Sequence, residues 1–135
     1  GLSVATFRFP WVASDEYSDA WTDSLRREPA ETDGFATYCH VTDAARAYVL
    51  ALENPRPGFE VYHFSAKEVL SLYPLAARLK RHHPDYPKLP ADWPAFQSPL
   101  ITDKAKAHFG WEAKWNFLDF YRARFGEPAA SFSEE

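Results

Sequence analysis

The sequence predicts an α/β fold: a few parallel strands and a mostly helical second part. Three observations predict it. Residues 2–9, LSVATFRF, are rich in β-branched and aromatic side chains and lack clean alternation. That is the pattern of a strand buried on both faces, hence of a parallel sheet covered by helices. Residues 35–64 read as an extended run, a helix and a second strand. Beyond residue 71 the apolar residues recur at helical spacing.

Taken in order, Pro10 ends the first strand. Residues 14–27 open acidic and close basic, as a helix dipole prefers, with Ser14 or Asp15 as cap and Tyr17, Ala20, Trp21 and Leu25 on one face. Residues 28–34 form a polar loop holding Pro29 and Gly34. A short extended run, 35–41, leads into YCHVTDAARAYVLALE at 38–53. Thr42 or Asp43 stands at the N-cap position, where a side-chain oxygen satisfies free backbone N–H groups. Ala44, Ala45 and Ala47 let the helix approach another layer closely, and Pro55 ends it by forcing Asn54 out of the helical region.

Pro57-Gly58 is a turn, and residues 59–64, FEVYHF, alternate as a second strand. The pattern leaves open which strands are neighbours. Ser71 starts the next helix, with Pro74 in its first turn and Leu72, Leu75, Ala76 and Leu79 as the buried stripe. Lys80, Arg81, His82 and His83 favour its C-terminal dipole. Residues 84–99 carry five prolines among Tyr86, Trp93 and Phe96, an irregular segment with its aromatics tucked in. Thr102 caps a helix that Gly110 ends, and Asn116 caps a last helix, 117–125, closed by Gly126. Residues 1–126 form one domain, and 127–135 a flexible tail.

Composition narrows the function. The net charge of −4 argues against nucleic acid or an anionic membrane surface as partner. No apolar run reaches the roughly 20 residues of a membrane span. Cys39 is the one cysteine, which suits a cytoplasmic protein and a buried small hydrophobe. The adjacent His82 and His83 point in different directions on a helix and lack partners at ligand spacing, so no metal site is expected. The chain opens inside an apolar run and holds no methionine, so it is expected to be a piece of a longer protein.

Three segments resemble the NAD-dependent epimerase/dehydratases, the extended short-chain dehydrogenase/reductases. HVTDAARA at 40–47 is similar to that family's HVxDxARA. RFPWV at 8–12 resembles its R-x-x-N-V-Y-G turn, with Trp11 in place of Asn and Ala13-Ser14 in place of Tyr-Gly. ITDKAKAHFGWEAKW at 101–115 resembles its D-x-S-K-A-x-x-x-L-G-W-x-P ending through Lys104, Ala105, Gly110 and Trp111. In FEVYHF, His63 replaces the family's usual Asn.

The resemblance covers residues 2 to about 121 and implies the C-terminal portion of a Rossmann-like fold, with part of the nucleotide-binding sheet and a substrate-side domain. It implies NAD or NADP in the intact protein, with Pro10 and Val12 near the cofactor. It implies a nucleotide-sugar-like substrate, with Arg8, Trp11 and His40 lining the cleft and loop 28–34 lying across it. It implies no catalytic residue in this chain. None of the seven tyrosines has Lys at the fourth residue after it, and the glycines are isolated, so a Tyr-x-x-x-Lys pair and a phosphate-binding turn are absent. The chain alone is expected to bind no cofactor. A strand lacking its sheet neighbours is expected to expose apolar surface, so that the chain forms homo-oligomers through its edge, swaps elements or is marginally stable. The alternative is a non-catalytic binding or interaction module on the same fold. A hydrolase is the weaker third reading, because no nucleophile elbow is present.

Overall fold

The computed structural model describes residues 1–27 and 35–128. The loop expected at 28–34, and nearly all of the tail expected at 127–135, lie outside the described residues, as do the side chains of Trp21 and Leu25. Among the described residues four short strands form two parallel pairs. Strand β1 (Ser3–Arg8) pairs with β4 (Gly58–His63), running from Ser3 beside Gly58 to Arg8 beside His63. Strand β2 (Trp11–Ala13) pairs with β3 (Tyr38–His40), with Ala13 beside His40. Each strand of the expected strand–helix–strand unit pairs with a strand from residues 1–13, and the two do not pair with one another.

The helices are α1 (Asp15–Arg27), α2 (Val41–Glu53), α3 (Leu75–His82), α4 (Asp103–Phe109) and α5 (Phe117–Phe125). None of the described helices is long and apolar enough to cross a membrane. Several boundaries follow the local chemistry. Ser14 Oγ accepts from Tyr17 N at the start of α1. Asn116 Oδ1 accepts from Asp119 N at the start of α5. Gly110 ends α4 at φ +66°, a left-handed backbone that a side chain would strain.

Four expectations are corrected. The N-cap of α2 is His40, whose Nδ1 accepts from Thr42 N at 3.3 Å. An imidazole nitrogen replaces the usual hydroxyl or carboxylate oxygen. Helix α3 starts at Leu75, not at Ser71, and Pro74 is its cap residue. Within it Arg78 is buried and Ala76 exposed, while Leu72 joins another cluster. On α1 it is Ser18 and Thr22 that are buried, each hydroxyl donating to the carbonyl four residues back. Tyr17 is exposed.

The fourth correction concerns β1, which is not buried on both faces. Ser3, Ala5 and Phe7 line a groove with Tyr48 and Tyr62. Val4, with its register partner Phe59, is exposed. Leu2, Leu52 and Phe59 are 80%, 82% and 67% exposed. A parallel pair normally has both faces covered, and here Ser3, Val4, Ala5 and Arg8 are exposed while only Thr6 and Phe7 are half-buried.

Three apolar clusters hold the fold. Phe64, Trp111, Tyr62, Phe109, Ala44 and Ala47 join β4, α2 and α4, with Phe7 and Phe9 packed against them. Tyr38, Leu70, Leu72, Phe117 and Tyr121 join β3 to α5. Val69, Leu75 and Leu79 anchor the proline-dense segment through Leu89 and Phe96.

A buried polar pair pins the second cluster. Tyr38 Oη donates to Glu68 Oε1, and Phe117 N donates to both oxygens, at 3.0 and 2.9 Å. Burial, and then the Glu68 charge, push the Tyr38 phenol well above its ordinary value. The folded value thus lies above the unfolded one of about 10. The stabilisation is complete below that pH and is lost as pH rises, because only the unfolded phenol then ionises. Replacing Tyr38 by Phe is expected to cost about 1–3 kcal/mol at neutral pH. It should also flatten the fall of the denaturation midpoint above about pH 10. Urea melts at a series of pH values check both.

Candidate functional site

In a parallel pair the C-terminal ends of the strands lie at one end, and in open α/β sheets ligands bind beyond them. Here those ends are Arg8 with His63, and Ala13 with His40. The richest polar geometry sits at the second pair, where β2 passes into α1 and β3 into α2.

His40 is its centre. The ring is 4% exposed and stacks on Trp115 at 4.6 Å with an interplanar angle of 5°. Nδ1 takes the backbone N–H of Thr42 and lies 2.8 Å from the Thr42 hydroxyl. With Nδ1 an acceptor, the ring proton belongs on Nε2, which donates to Asp15 Oδ1 at 3.0 Å. Trp115 Nε1 donates to the same oxygen at 3.0 Å. Asp15 itself is 67% exposed. Two fixed N–H donors therefore hold an open carboxylate in place at the first turn of α1, where the helix dipole also favours its charge. Two residues along, Tyr17 meets the Trp11 ring edge to face at 4.8 Å, and Trp11 is 40% exposed. A pre-positioned acceptor beside an accessible aromatic surface suits a ligand with hydroxyl groups and an apolar face.

Behind this corner lies a buried carboxylate. Asp43 Oδ2 accepts from Lys114 N and Trp115 N, both at 3.0 Å. Its Oδ1 accepts from Arg46 Nη2 at 2.7 Å, and its main-chain oxygen accepts from Trp111 Nε1 at 3.0 Å. Arg46 Nη2 also donates to the Glu112 carbonyl. The Trp111 indole is fully buried against Phe64, with the Arg46 guanidinium 5.7 Å from its centre. This clamp fixes Trp115, and Trp115 in turn orients His40 and Asp15.

The residues singled out from sequence divide between the two sheets. Trp11 and Val12 are exposed on β2, and His40 is the buried neighbour of Ala13 across the pair. Arg8 is exposed at the end of β1, and Pro10 is half-buried in the link to β2. Asp15 was legible only as a cap, and Trp115 gave no sequence signal; the two meet from positions far apart in the chain. Cys39 is buried beside Asp43, and burial, with that charge second, pushes its thiol up to about 12. It is a packed residue, not a nucleophile. Among the described residues no cluster of His, Cys, Asp or Glu could hold a metal ion.

No protein-family model and no curated protein matches the chain. A solved structure, that of a functionally unknown conserved protein from Silicibacter pomeroyi, is similar, with a TM-score of 0.52 and 17% identity. The match covers 93% of this chain and 50% of that one, so this chain spans about half the length of that protein. At this identity the likeness concerns the fold alone: a small α/β arrangement of parallel strands and helices.

Proposed function

We propose that this chain is the substrate-side part of an NAD-dependent epimerase/dehydratase-like protein that, intact, acts on a nucleotide-activated sugar. One observation carries the reading. The resembling stretches at 40–47 and 101–115 meet in a single clamp, in which Asp43 binds the Trp111 indole and the backbone of Lys114 and Trp115. Two separate resemblances that lock together support a shared architecture better than either alone.

In this reading NAD or NADP in the intact protein takes a hydride from the sugar and returns it. Pro10 and Val12 lie along the cofactor, and Arg8 and Trp11 face the substrate. His40 acts by positioning the Asp15 carboxylate, which accepts a sugar hydroxyl while Trp11 covers an apolar sugar face. The chain has neither the glycine-rich turn nor the Tyr-x-x-x-Lys pair, so it does not turn over alone. Calorimetric titration of the chain with UDP-glucose tests the site. Asp15→Asn and Trp11→Ala are each expected to weaken binding about tenfold. Unchanged affinity in both variants sinks the assignment of this corner.

A second reading is an interaction module that keeps the fold without the chemistry and uses the exposed Leu2, Leu52 and Phe59 as its contact surface. It predicts concentration-dependent self-association that Leu52→Glu with Phe59→Glu abolishes, measured by sedimentation.

A further inference from the structure

Away from the corner just described, the proline-dense segment folds back on α3 and leaves a pocket of about 390 Å³. We infer that this pocket binds a small planar aromatic anion, an arene carboxylate, between Trp93 and the last turns of α3. The inference is independent of the proposed function.

The walls are apolar and stiff. Leu79 and Leu89 form the floor, continuous with the Val69 and Leu75 cluster. Pro84, Pro87 and Pro90 line the side, each with its backbone φ fixed by the ring. Turns hold the segment in place: Tyr86 N donates to the His83 carbonyl at 2.9 Å and Trp93 N to the Pro90 carbonyl at 3.0 Å. Leu75 N reaches across to the Ala95 carbonyl at 2.7 Å. The Trp93 indole is itself fixed, Nε1 donating to the Gln97 carbonyl at 3.2 Å. A pocket built this way needs little ordering on binding, which favours affinity for a rigid ring.

The polar lining selects the charge. Among the described residues the ionised groups lining the pocket are Lys80 and Lys88, and no carboxylate lines it, in a chain whose net charge is −4. The C-terminal dipole of α3 opposes an anion here, and the Lys80 ammonium in its last turn offsets it. His83 also lines the pocket, its ring held against Phe35. Its Nε2 is buried and has no hydrogen-bond partner among the described residues. Trp93 and Tyr86 offer ring surfaces to the arene, and its charge falls to the two lysines.

The test is an NMR titration with 2-naphthoate, and with 2-naphthylmethanol as its neutral counterpart. The Trp93 indole N–H, assigned through Trp93→Phe, is the reporter. Naphthoate is expected to shift that signal and the His83 ring signals saturably, and the alcohol to bind at least about tenfold more weakly. The exposed pair Lys80→Glu with Lys88→Glu leaves the core untouched, and it is expected to abolish the preference for the anion. No shift at about 10 mM naphthoate, equal affinity for the alcohol, or an unaltered preference in the charge-reversed variant overturns the inference.

Discussion

Replacing Asp43 by Ala is expected to lower stability by about 3–5 kcal/mol, a large part of the 5–15 kcal/mol typical of a domain. The substitution leaves three donors without their acceptor. Lys114 N and Trp115 N lose Oδ2, and the Arg46 guanidinium loses its carboxylate in a half-buried setting. The cost comes less from the lost attraction than from the part-buried backbone donors of Lys114 and Trp115 left unmatched. Thermal denaturation should fall by about 10–20 °C. Asp43→Asn separates the contributions. It fills the same space but offers one acceptor oxygen, so its amide group faces either Arg46 or the two backbone N–H groups, donor against donor. A loss of about 2–3 kcal/mol is expected for it. A melting point within a degree or two of the parent for the Ala variant would show that the clamp does not hold the chain together.

Replacing Trp111 by Ala is expected to cost about 3–5 kcal/mol as well, by a different route. Among the described residues the indole is the largest fully buried side chain, and it fills the space between β4 and α2 against Phe64. Its removal leaves a cavity and frees the Asp43 carbonyl that Nε1 had satisfied. Trp111→Phe keeps most of the packing and loses the hydrogen bond, so about 1–2 kcal/mol is expected. The two sites share one network, so their effects should not add. The double variant Asp43→Ala with Trp111→Ala is expected to fall short of the sum by about 1 kcal/mol or more, measured by urea denaturation. Simple additivity would mean that the two resembling stretches pack independently.

What the sequence disclosed follows from how local each signal is. Asn116 ahead of one apolar run with Gly126 behind it, and Gly110 behind another, bound α5 and the end of α4, because capping is decided within one turn. The cap of α2 was not legible, because imidazole acts as an acceptor only when its other nitrogen is protonated, and here Asp15 from another helix sees to that. The burial of β1 was misread because a run of β-branched and aromatic residues reports what a strand can bury, not what lies over it. Nothing local announced Asp15 with Trp115, or Glu68 with Tyr38. Each pair joins residues brought together by tertiary packing alone.

The measurement that bears most directly on the proposed function maps where a nucleotide sugar binds. Backbone amide and indole signals of the chain are followed by NMR during titration with UDP-glucose. The account predicts saturable shifts centred on Trp11, Val12, Asp15 and the Trp115 indole, with His40 responding through its bond to Asp15. Shifts confined to the Trp93 pocket, or none at about 10 mM, would contradict it.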